Sequence, residues 1–230
     1  MRLILAIVLT LMTLPAVAAT CPAARLEPQV ILTVSQSAVM QDNSKTIHDL
    51  IAMAQEHGHA FTSGGRHVPL GLTRVKTRYT SKLETEVLRL PDGTHCAYLK
   101  TLWLTVLFDN TTVYIATNLP RDSCIYDEVL AHEHKHVAAD RALLERWKPE
   151  LQRQAEDAAR SAVVTSASTA DEATKYIGSY LEPYLQRTVN ALMAARDADQ
   201  SLIDTTAEYT RISRSCRGEV RRYIPEGLLR

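Results

Sequence analysis

His132 and His136 are four residues apart, and Glu133 directly follows the first of them. On a helix, that spacing brings two imidazoles to one face about a turn apart, as two ligands of one tetrahedral ion require. Glu133 falls about 100° round the helix from His132, beside such an ion and not on it. A carboxylate there can take a proton from water activated by the metal and return it to a leaving group. The residues therefore read as a Zn2+ site with metal ligands His132 and His136 and catalytic base Glu133. His134 points to nearly the opposite side of the same helix and reads as a polar-face histidine. His57 and His59, beside Gly58, read as a solvated turn, not a second metal site.

These residues need a helix to hold them and a sheet to bury its inner face. Asp122 or Ser123 can cap the motif helix, with Asp127 and Glu128 favourable in its first turn. The helix is expected to run to about Trp147, where Lys148 and Pro149 interrupt it. A second helix is expected over residues 150–163 and a linker over 165–168. A third begins at the Thr169/Glu172 capping box and is kinked or split at Pro183. Ahead of the motif, residues 30–34 read as a strand and 44–56 as an amphipathic helix. Residues 72–79 and 84–90 read as strands before a turn at Pro91, Asp92 and Gly93. Residues 97–108 and 112–117 read as the two arms of a hairpin turning at Asp109 and Asn110, with Trp103 as core material.

The expected fold class is therefore α+β: an antiparallel β-meander packed on the motif helix, followed by a region of long helices. Three parts are expected: residues 1–19 as a signal peptide, 20–149 as the α+β core, and 150–230 as a helical region packed on it. Arg2 precedes an apolar run over residues 3–14, then Pro15 and the small residues 16–19, the pattern of an export signal. That run is too short for a comfortable membrane span. Export to the periplasm or exterior makes disulfides of the four cysteines. Folding a hairpin about Asp109 and Asn110 sets Cys96 opposite about residue 123, so the expected pairs are Cys96–Cys124 and Cys21–Cys216.

Over residues 130–137 the motif resembles the zincin metalloproteases. Together with residues 123–127 it is similar to a bacterial family of secreted zinc-dependent proteases. The resemblance implies hydrolysis of peptide bonds, and a strand beside the helix, here residues 113–117, that binds peptide by β-augmentation. Lys135 departs from that pattern, which carries uncharged residues between the ligands. A third ligand from a later helix is also implied, with Glu172, Glu182, Asp204 and Glu208 as candidates. Glu208 is favoured as metal ligand, because its segment also carries Tyr209, a catalytic candidate that could stabilise an oxyanion. Asp140 lies about 12 Å along the helix from His132, too far to share an ion, and reads as a carboxylate behind the site that orients His136.

Composition bounds the partners. The 230 residues are 46% hydrophobic and carry a formal net charge of zero. That balance argues against nucleic acid or an anionic membrane as partner, and leaves a peptide or protein substrate. The competing expectation is a non-catalytic, zinc-stabilised envelope protein whose long helices bind a partner.

Overall fold

The computed structural model describes residues 20–24, 27–56, 68–162 and 167–228. The signal-peptide expectation, His57, His59 and the first half of the linker at 165–168 lie outside the described residues.

One strand organises the rest. Strand β4, His95–Ile115, runs without a turn through Asp109 and Asn110. Its inward side chains Leu102, Leu104, Val106 and Phe108 are buried, alternating with partly exposed Trp103, Thr105 and Leu107. Strand β3, Gly71–Arg89, pairs antiparallel with it over nearly its whole length. The turn between them is built by Gly93, at φ 88°, and by Asp92, which accepts from the Thr94 amide at 3.0 Å.

The antiparallel meander is corrected by the other side of β4. Strand β1, Gln29–Gln36, pairs with β4 in parallel from Gln29 opposite Thr101 to Gln36 opposite Phe108. Strand β2, Met40–Asp42, continues in parallel against residues 112–114. The spine β1-β4-β2 is thus parallel, and only β3 opposes it. The reason is β3 itself: it carries the chain back along the whole sheet, so β4 starts again in the direction of β1. Asp109 and Asn110, read as a hairpin turn, form a bulge instead. Asn110 takes φ 49°, which Asn tolerates better than most residues, and the pairing shifts register between Arg74 and Lys76.

Without that hairpin, Cys96 and Cys124 are not brought together. The disulfides are Cys21–Cys96 and Cys124–Cys216, which corrects both expected pairs. The first ties the N-terminal segment to the start of β4. Trp103 is likewise not core: it lies on the outer face of the sheet under the Lys82 ammonium, 5.3 Å from the ring centre.

Helix α1, Ile47–Glu56, buries Ile47, Leu50 and Ala54. Helix α2, Cys124–Ser161, starts at Ser123, whose Oγ accepts from the Tyr126 amide at 3.3 Å. It continues straight through Pro149, across the expected break and the boundary at 149. Proline in a helix interior costs about 3 kcal/mol. The stripe Leu143, Leu144, Leu151, Ala155 and Ala158 stays buried across it, and that burial offsets the cost. Helix α3, Ala170–Ser201, is capped by Thr169 and passes Pro183 in the same way. Helix α4, Thr206–Arg214, leads into the segment Ser215–Arg222, which kinks at Cys216, Arg217 and Gly218, all at positive φ.

Two apolar clusters result. One joins the inner face of β4 to α2 and α3, from Leu102 and Phe108 to Leu143, Leu181 and Leu192. The other gathers α1, the far end of β4 and the first turns of α2, around Ile47, Val113, Ile125 and Val129.

The Cys124–Cys216 bond closes 92 residues of chain. Replacing both cysteines with serine should lower stability in urea unfolding by about 4 kcal/mol, the loop-closure entropy returned to the unfolded chain.

Candidate metal centre

Between the two clusters, the inner face of α2 turns polar. His132, Glu133, His136 and Asp140 are all buried there, and Asp140 is fully so. Each buried polar group needs a partner, and the partners come from four other places in the fold.

The two imidazoles face each other through Nε2, 3.3 Å apart. Asp204, on the turn between α3 and α4, brings its Oδ1 to 3.1 Å from the His132 Nε2 and 3.3 Å from the His136 Nε2. Three potential donor atoms thus form a nearly equilateral triangle. A tetrahedral ion with bonds of about 2.0–2.1 Å spaces its ligands about 3.3 Å apart, so the triangle matches one face of such a site. His132, His136 and Asp204 form a group that could hold a metal ion. The histidines are buried, whereas Asp204 keeps 39% of its side-chain surface exposed, so the group opens to solvent on that side.

The outer nitrogens are also engaged. His136 Nδ1 donates to Gln200 Oε1. The Gln200 amide in turn donates to the Asp140 Oδ1 at 2.7 Å. Asp140 is held by Arg196 through two bonds of 2.8 and 3.0 Å. His132 Nδ1 lies 3.3 Å from Glu208 Oε1 and donates to it. Both rings are thereby fixed with Nδ1 protonated and the Nε2 lone pair aimed at the centre.

Asp204 therefore stands where Glu208 was expected. Glu208 lies at the opposite edge of the His132 ring, where it orients the imidazole. Lys135 Nζ donates to Glu208 at 2.6 Å, and Arg211 at 2.9 and 3.0 Å. The charge that departs from the motif is thus the partner of the carboxylate behind His132. Arg211 and Lys135 hold the Glu208 carboxyl far below the usual range. Burial acts to raise the Asp204 carboxyl, but the two imidazoles and the Tyr209 hydroxyl that face it outweigh burial and hold its pKa well below the ordinary value. Burial acts to lower the charge state of His136, and Asp204 and Glu133 overcome it, so its pKa lies above the ordinary value.

Glu133 is held from the sheet. Its Oε2 accepts from Thr73 Oγ1 at 2.8 Å. A Cβ on Gly71 would stand 2.5 Å from Glu133 Oε1, so only glycine lets β3 approach this carboxylate so closely. Burial pushes the Glu133 carboxyl up, against the pull of the nearby imidazoles and Thr73. Tyr209 donates to Asp204 Oδ1 at 3.0 Å, and burial with that carboxylate raises its phenol far above the ordinary value.

The other candidates lie elsewhere. Glu172 accepts from Ser168 at the start of α3, and Glu182 accepts from the Tyr79 hydroxyl. His134 is exposed. Residues 113–117 offer no free edge at their start, because Val113 is flanked by Gln41 on one side and Thr73 on the other. The edge beside the motif helix belongs to β3.

Gln200, Arg196, Thr73 and Gly71 were not identified from the sequence. Asp204 was a candidate, and one signal favoured it. Thr205 and Glu208 form a capping pattern, and Thr205 Oγ1 does accept from the Glu208 amide at 3.2 Å. That starts α4 after Thr205 and leaves Asp204 on the turn, a helical turn ahead of Glu208.

Compared with protein-family models, curated proteins and solved structures, the chain gives no match in any of the three. Two disulfides fit an extracytoplasmic setting, and no helix among the described residues is long and apolar enough to cross a membrane.

Glu208→Ala and Gln200→Leu should each weaken the binding of an added divalent metal ion about 10- to 100-fold, measured by chelator competition, with the fold retained. Unchanged affinity in both would mean that these side chains do not set the rings.

Proposed function

We propose that the chain is an exported, zinc-dependent metallopeptidase in which His132, His136 and Asp204 hold the ion and Glu133 is the general base. The observation that carries this reading is the convergence of the two Nε2 atoms and the Asp204 oxygen within 3.1–3.3 Å, with an unligated carboxylate alongside. Two imidazoles and one carboxylate, with one side open, are the donor set of a catalytic zinc site, whereas structural sites close all four positions. The partly exposed Asp204 is in keeping with an open side.

Zinc held there supplies Lewis acidity, acidifying water and polarising a carbonyl. Glu133 accepts the proton that water gives up and hands it to the departing amine. Burial raises its pKa, which makes the carboxylate a stronger base toward that proton. Thr73 fixes the rotamer of Glu133 and Gly71 leaves room for it. Tyr209 stays protonated with its hydroxyl donated to Asp204, and can serve an oxyanion by turning from that carboxylate. The β3 edge beside Glu133 supplies backbone groups that can pair with an extended peptide.

The alternative is a non-catalytic zinc-stabilised protein whose long helices bind a partner and in which Lys135, the departure from the motif, reflects lost catalysis. The pairing of Lys135 with Glu208 gives that residue a positioning role, which favours the hydrolase reading over this one.

Glu133→Gln should keep stoichiometric zinc while hydrolysis of a peptide library falls at least about 100-fold. Retention of full hydrolysis would refute the base assignment, and a wild-type chain without zinc would refute the whole reading. Gly71→Ala should bind zinc normally and lose most activity, because the new methyl displaces the Glu133 carboxylate; mass spectrometry of the metal complex with peptide assays would check it.

A further inference from the structure

Strand β3 is the edge of the sheet along its whole length, for among the described residues it pairs only with β4. Its two faces differ in charge. Toward the helices it presents Thr73, Val75, Thr77 and Tyr79, and the Tyr79 hydroxyl donates to Glu182 at 2.5 Å. Toward solvent it presents Arg74, Lys76, Arg78, Thr80 and Lys82, all exposed. Arg78 is paired with Asp109 at 2.6 Å and Lys82 lies over Trp103. Among the described residues, Arg74 and Lys76 meet no carboxylate within ion-pair distance. The row starts one residue beyond Thr73, which holds Glu133, and Lys76 lies about 10 Å along the strand from Thr73.

We propose that this row selects acidic polypeptides. An extended segment added to the β3 edge places every second side chain beside this row, and carboxylates beside Arg74 and Lys76 are the preferred occupants, Arg78 being paired with Asp109. The intervening side chains lie on the helix-facing side, which carries Glu133 at Thr73 and Glu182 at Tyr79, so the same acids shifted by one residue leave the cations for a face that carries carboxylates. Because the row extends from Thr73 in one direction only, the preference falls on one side of the bond to be cleaved. Directly opposed charges on neighbouring strands attract, and like charges repel. The selectivity for cleavage rests on the hydrolase reading; the selectivity for binding does not.

The test uses two fluorescein-labelled decapeptides of identical composition, with glutamates at alternate positions in opposite phase, and a third with glutamine in their place. Binding is measured by anisotropy on the metal-free protein, and cleavage is mapped on the zinc-loaded protein. One acidic phase should bind about five- to tenfold more tightly than the glutamine peptide. Raising the salt concentration should erase the difference. Arg74→Glu with Lys76→Glu, both at exposed positions, should reverse the preference toward a lysine peptide while the thermal melt stays unchanged. In the loaded protein, acids should cluster on one side of the cut sites.

Equal binding of all three peptides, or a preference untouched by the charge reversal, overturns the proposal even if cleavage occurs. Tight, reversal-sensitive binding to phosphatidylglycerol vesicles without peptide selectivity also overturns it, making the row a membrane-surface contact. Phase-selective, reversible binding with no cleavage of any peptide leaves this proposal standing and sinks the hydrolase reading alone.

Discussion

Four ionisable side chains on one helix face are withdrawn from water, and much of the architecture answers that constraint. A buried polar group without a partner costs several kcal/mol, more for a charge. His132, Glu133, His136 and Asp140 are met by Asp204 from a turn, Glu208 from α4, Thr73 from β3, and Gln200 and Arg196 from α3. No single element could supply all of these. Strand, helix and turn must dock on α2 together, and the two apolar clusters on either side hold them there. The polar seam fixes how α2, α3 and β3 sit against one another, because a slip of one residue would strand at least one charge.

The motif helix was legible because its chemistry is local: residues four apart share a face whatever the rest of the chain does. The pairing of strands was not. Alternating residues state which face a strand buries, but carry no information on which neighbour it takes or in which direction. Residues 97–108 and 112–117 each alternate correctly, and the phase break between them at Asp109 and Asn110 has two physical solutions, a turn or a bulge. The bulge keeps one long strand, and both expected disulfides fell with the hairpin. Pro149 misled for a related reason, since local helix cost was weighed without the burial that continues past it.

In the site, the same division holds. The two imidazoles and Glu133 could be placed from spacing, whereas Asp204 is 72 residues from His132 and is set by the packing of α3 and α4. Carboxylates near the end of the chain could be named but not ranked by composition alone. Lys135 looked like a blemish in the motif when only its neighbours in sequence were visible. Its partner, Glu208, is 73 residues away, and with that partner in view it belongs to the support of His132.

The bond between Cys124 and Cys216 alters what counts as distant. In the open chain, joining His132 to Asp204 closes a loop of 72 residues. Through the sulfurs, the covalent path goes eight residues back to Cys124 and returns from Cys216 over twelve more. Shortening the path to about twenty residues lowers the entropy lost on closing it by about 1 kcal/mol. The third donor is a long-range contact in the reduced chain and a short-range one in the oxidised chain. Thiol oxidation thereby converts a problem of tertiary search into one close to local geometry.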